Sequence, residues 1–133
     1  MNSEEVKEWM TIADCDFDSA KILNEATRKY YEIICYHCAQ ATEKYLKAYL
    51  VYHDIIPERS HDLINLYRIC VNIDSIFRSI NTKCGFLNRF ANDIRYPHRY
   101  EVTDSDANFA IDAVEIIRNI QPISYLRNIS ELT

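Results

Sequence analysis

The segment ICYHCAQATEKYLKAYLVY, Ile34–Tyr52, decides the fold. Within it Ile34, Cys38, Ala41, Tyr45, Ala48 and Tyr52 recur in alternating steps of four and three. That repeat is an apolar seam along an α-helix, about five turns long at ~3.6 residues per turn. Cys35, Leu46, Tyr49 and Leu50 widen the stripe, so this helix is expected to touch several neighbours and to serve as the spine of the fold. Its opposite side carries Glu32, Glu43, Lys44 and Lys47 and reads as polar.

On the N-terminal side of the spine, Val6, Met10, Ala13, Phe17, Ala20 and Leu23 follow helical spacing. Ser3 is placed to cap this first helix, Glu4 and Glu5 suit its positive end, and it runs to about Ala26. On the C-terminal side, residues 55–59 break the period and Ser60 is the expected N-cap of a short helix with Leu63, Leu66, Tyr67 and Cys70 inward. A turn or two around Asp74 to Ser79 leads to Gly85. After it Phe86, Leu87, Phe90, Ala91 and Ile94 form a fourth amphipathic stretch that Pro97 stops. Thr103 or Ser105 caps a last helix with Ala110, Ala113, Val114, Ile117 and Ile120 on one face, ended by Pro122. The expected fold is all-α: an up-and-down antiparallel helical bundle of four main helices plus a short fifth, spanning residues 3–121. Residues 122–133, which have no strong period, form a C-terminal tail.

Composition narrows the chemistry. A single glycine excludes the Gly-rich phosphate loops of dinucleotide-binding and P-loop folds, and three prolines are too few for the turns of a small β-barrel. Fifteen Lys and Arg against twenty Asp and Glu leave a formal charge of −5, so any nucleic-acid site must be local. Five scattered cysteines fit reduced thiols. No stretch approaches the ~20 apolar residues of a membrane span, and the N-terminus lacks a signal-peptide pattern. A cytoplasmic protein with no membrane contact is expected.

Candidate sites are few. Cys35-x-His37-Cys38 resembles a zinc half-site, but it lies inside a periodic helix with no second ligand pair, so these thiols read as core and no metal or cofactor is expected. His53 reads as a helix-terminus residue. His61 either orients a ligand from a helix N-terminus or bonds nearby backbone in the first turn. Tyr45, Tyr49 and Tyr52 read first as core or subunit-interface residues, with base stacking as the lesser reading. The densest polar stretch is Asn88-Arg89-Phe90-Ala91-Asn92-Asp93-Ile94-Arg95-Tyr96-Pro97-His98-Arg99-Tyr100-Glu101. Its arginines suit phosphate oxygens, and His98 and Tyr100 add a titratable donor and a phenol. The alternative is a solvated loop in which Arg95 pairs with Asp93 or Glu101.

Three motifs occur in order: His37-Cys38-Ala39-Gln40-Ala41-Thr42-Glu43-Lys44-Tyr45-Leu46-Lys47-Ala48, then Ser60-His61-Asp62-Leu63, then Arg95-Tyr96-Pro97. Together they resemble the HEPN domain (higher eukaryotes and prokaryotes nucleotide-binding), in its small prokaryotic "RYP" branch, over roughly residues 5 to 121. The resemblance implies a helical homodimer that works with a minimal nucleotidyltransferase in a toxin–antitoxin-like pair and binds a nucleotide or RNA. By motif position it nominates Arg95 first, with Gln40, Lys44, Lys47 and His61 as further candidates; the polar stretch adds Arg89, His98 and Tyr100.

Ribonucleases of the family resemble one another in an Arg followed, after four to six residues, by a His. Here two residues separate Arg95 from His98 and eight separate Arg89 from His98. His98-Arg99-Tyr100 does match the family's His-x-Tyr ending, but Pro97 forces extended or turn geometry between the pair. The spacing therefore speaks against metal-independent cleavage by that pair. Two other functions use the same residues. One is an active ribonuclease toxin using His98 with Arg89 or Arg95, and the other is a purely protein-interacting module built on the tyrosine-rich helix.

Overall fold

The computed structural model describes residues 2–92 and 101–132. These form six α-helices: α1 (Ser3–Glu25), α2 (Tyr31–Tyr52), α3 (Leu63–Ile73), α4 (Asn81–Asn88), α5 (Asp104–Asn119) and α6 (Gln121–Leu132). A 3-10 helix, Ser75–Ile80, precedes α4, and no strand occurs among the described residues. The expected all-α bundle is present, with two helices beyond the four main ones.

The α2 spine contacts α1, α3, α4, α5 and α6, as its broad apolar stripe requires. Tyr45, Phe17, Ile34, Leu46, Leu66, Leu87 and Ile117 are among its fully buried side chains or those packed around it, and Tyr49 is 5% exposed. The tyrosines at 45 and 49 are core residues. The α1–α2 pair forms the most extensive helix packing, with Val6, Met10, Ala13, Phe17 and Ala20 facing inward as their spacing predicts.

Several boundaries differ from the sequence expectation, each for a local reason. Asn2 caps α1 in place of Ser3, its side chain accepting from the Glu5 amide at 3.0 Å. Asp62 caps α3 in place of Ser60. Its carboxylate accepts from the Ile64 and Asn65 amides, which also sets a negative charge at the positive helix end. Ser60 Oγ accepts the Asp62 amide one step earlier, so His61 lies outside the helix. Gly85 sits inside α4 as an exposed helical residue and not at its entrance. Phe90 and Ala91 are buried just beyond the end of α4. Thr103 does cap α5, in a reciprocal capping box with Asp106.

The C-terminal segment departs most. Pro122 does not terminate α5, which already ends at Asn119; it occupies the first turn of α6, where a proline lacks no needed donor. In α6, Ile123 and Leu126 are fully buried, and Arg127 donates to Asp14 of α1 from its two terminal guanidinium nitrogens at 2.7 and 2.8 Å. A single turn of apolar residues plus one arginine gives little periodic signal, so this helix depends on the surface that receives it.

Candidate functional site

One flank of α2 carries His37, Gln40, Lys44 and Lys47 in steps of three, four and three, which places them in one row along the helix. The row lies beside Trp9 and Asp16 of α1. Asp16 holds His37 Nδ1 at 3.1 Å through one carboxylate oxygen and Lys44 Nζ at 3.0 Å through the other, and Lys44 also donates to Gln40 Oε1 at 2.8 Å. Burial opposes ionisation of Asp16, but the bonds from His37 and Lys44 outweigh it and hold the carboxyl below its ordinary value.

Further along, Glu43 and Lys47 are 3% and 6% exposed, which overturns their reading as part of a polar outer side. Glu43 accepts from Lys47 Nζ at 2.8 Å through one oxygen and bonds His61 Nδ1 at 2.7 Å through the other. Lys47 Nζ lies 5.5 Å from the Trp9 ring centroid, so its charge is met by a carboxylate and an aromatic face. A buried ion pair needs this completeness, because either charge alone would be left desolvated. Glu43 thus holds a neighbour on each oxygen, with the His61 Nδ1–H as the donor on one of them. The His61 side chain is 56% exposed, and no hydrogen bond to Nε2 occurs among the described residues.

A second feature lies at the end of α4. Arg89 is exposed, with its guanidinium carbon 5.0 Å from the Phe86 ring centroid and 5.3 Å from that of Phe90. Phe86 in turn meets Phe109 of α5 edge-on at 4.6 Å, and Phe109 is 47% exposed. The two features are tied by one bond: Asn88 Oδ1, next to Arg89, accepts from the Leu63 amide at 2.9 Å, two residues after His61.

Of the sequence candidates, Gln40 and Lys44 belong to the network on Asp16 and Lys47 and His61 to the one on Glu43, with the two lysines committed to carboxylates. Arg89 belongs to the neighbouring aromatic ledge. Arg95, His98 and Tyr100 lie outside the described residues; Ala91 and Val102, which flank that stretch in sequence, are both buried. The sequence reading missed Asp16 and Glu43 as the partners that organise the row. The Glu43–Lys47 spacing of four, acid first, is a helical ion-pair signature, but its burial depends on His61 arriving from another segment.

A hollow of 380 Å³ at the start of α2 is lined, among the described residues, by Tyr30, Tyr31, Glu32, Ile33, Glu101 and Val102, two of them carboxylates. Among the described residues no three His, Cys, Asp or Glu side chains converge as metal ligands, and no helix is long and apolar enough to cross a membrane. Cys35 is buried, and burial, with the Asp106 charge second, pushes its thiol up to about 12. Cys38 is raised further for want of solvent. Both behave as core filler.

The HEPN domain family matches residues 6–124, from the first turns of α1 into the start of α6. The chain belongs to the HEPN family. Its fold is that of an archaeal HEPN homologue known from a crystal structure, with a TM-score of 0.66 over 92% of this chain and 95% of the other, at 23% identity. No curated protein matches the chain. Within this HEPN domain, α2 and the segment leading to α3 hold the organised polar groups, and α4 supplies the exposed arginine.

Proposed function

We propose that this HEPN domain is a nucleotide- or RNA-binding module, acting as a homodimer with a minimal nucleotidyltransferase in a toxin–antitoxin-like pair. The observation that carries the binding reading is the Asn88–Leu63 bond, which sets the Arg89 ledge beside the His61 segment. A nucleotide offers a phosphate and an aromatic base. A guanidinium stacked on Phe86, beside the exposed ring of Phe109, offers the matching pair of contacts. The dimer and the nucleotidyltransferase partner follow from the family resemblance alone. Arg95 extends this reading as the first phosphate contact from the polar stretch that begins at Asn88. The spacing of Arg95 and His98 does not support cleavage by that pair.

Fluorescence anisotropy with mono-, di- and trinucleotides and a short single-stranded RNA tests the reading. Binding should weaken at least about tenfold in Arg89→Ala and in Arg95→Ala, and should fall as salt rises, since each phosphate contact releases counterions. If no nucleotide or RNA binds, the domain is a protein-interaction module. Co-purification with the nucleotidyltransferase in the absence of any nucleotide affinity would establish that.

A further inference from the structure

Residues 75–92 carry Arg78, Lys83 and Arg89 and no carboxylate, in a chain whose formal charge is −5. The contrast persists in the folded protein. Lys21, Lys44, Lys47 and Arg127 of α1, α2 and α6 are each held by a carboxylate, whereas the partly exposed Lys83 forms no ion pair among the described residues. Lys83, Phe86 and Arg89 follow one another in steps of three, so Phe86 has one cation a turn before it and another a turn after it. At 1.5 Å per residue the two cations are about 9 Å apart along the helix axis. Phe86 is the member that meets α5, its ring edge-on to that of the half-exposed Phe109. The α5 side of this ledge has the opposite charge: Asp112, one turn after Phe109, is exposed, while Asp106, one turn before it, is held in the Thr103 capping box. An aromatic floor thus has a cationic rim on α4 and an acidic rim on α5.

We propose that this ledge is a track for a single-stranded RNA, with one base stacked on Phe109 and the phosphates on its two sides held along α4 by Arg89 and Lys83. The inference rests on the RNA-binding reading above and names the form of the ligand: a strand with consecutive phosphodiesters and unpaired bases, in place of a free nucleotide. A mononucleotide has phosphate at one end of its sugar and reaches one of the two cations. A strand has phosphate on both sides of each base and reaches both. A duplex keeps its bases stacked on each other and leaves Phe109 uncovered. Asp112 sets the orientation, because a backbone laid along α5 would meet its charge.

The test measures anisotropy on the full chain with labelled adenosine monophosphate, a short single-stranded oligoadenylate and the same strand paired with its complement. The single strand should bind at least about tenfold more tightly than either of the others. Lys83→Ala should weaken the strand at least about fivefold and reduce its salt slope by about 0.7, with mononucleotide affinity within about twofold of the parent. Phe109→Ala should weaken the strand at least about fivefold, and Asp112→Asn should tighten it. Lys7→Ala, which removes an exposed cation from α1, should bind as the parent does, and thermal melting confirms that each variant is folded. A strand bound no more tightly than the mononucleotide or the duplex, or a loss in Lys83→Ala no larger than that in Lys7→Ala, overturns this inference while the binding reading stands. Absence of binding to all three probes overturns both.

Discussion

Arg127 of α6 donates from two guanidinium nitrogens to the two oxygens of Asp14 in α1, closing the chain's last helix onto its first. Tyr45 of the spine donates to the same carboxylate at 2.5 Å, so three helices meet at one side chain. Both ionic partners are 29% exposed, which places the pair between a surface bridge and a buried one. Charge-assisted bonds of this kind contribute about 1.5–3 kcal/mol when their removal leaves a partner unsatisfied. Asp14→Ala should therefore lower stability in urea by about 2 kcal/mol. Arg127→Ala should cost somewhat less, because Tyr45 still serves the carboxylate.

Acid should act through the same contacts. Burial opposes ionisation of Asp14, but its bonds to Arg127 and Tyr45 outweigh that and keep it below the ordinary value of 3.8; Asp16 is lowered likewise by His37 and Lys44. A carboxyl depressed in the folded state stabilises it above the unfolded value and loses that contribution as pH falls through the folded value. Stability from these two groups should hold from pH ~7 to ~5 and decline below about 4. Urea titrations across this range should show a shallower acid decline in Asp14→Asn and Asp16→Asn, each from a lower starting stability.

Gly85 offers a stabilising change. It lies inside α4 with a negative φ, and a Cβ built there meets no atom within 4 Å. Alanine removes backbone freedom from the unfolded chain at no steric cost in the helix. Gly85→Ala should raise stability by about 0.5–1 kcal/mol, measured as a higher Tm with unchanged binding.

Thiol chemistry should separate one cysteine from four. Cys35, Cys38, Cys70 and Cys84 are buried, and loss of solvent pushes Cys84 up to about 12 and Cys70 higher still. Cys15 alone is exposed among them. A chromogenic disulfide reagent should titrate one thiol in the native protein and all five in denaturant. Native titration of more than one would mean that the core opens on the reaction's timescale.

Much of the fold was legible because helix formation and its apolar face are set by neighbours three and four residues apart. The α2 seam from Ile34 to Tyr52, the inward row of α1 and the Thr103 cap are all local patterns that the structure keeps. The site was legible only in part. His61 was visible as a residue near a helix start, but its partner Glu43 is eighteen residues away, on a stretch whose charges suggested a solvated face.

The sequence by itself determined where helices form and which face of each is apolar, since these follow from periodicity and capping chemistry within a few residues. The tertiary structure alone decided which charges are buried and paired. Glu43 and Lys47 enter the interior because Trp9 and His61 close over them from other segments, and α6 is a helix with a purpose because α1 presents Asp14 to Arg127. Desolvation is a property of the assembled surroundings, and no local pattern encodes it.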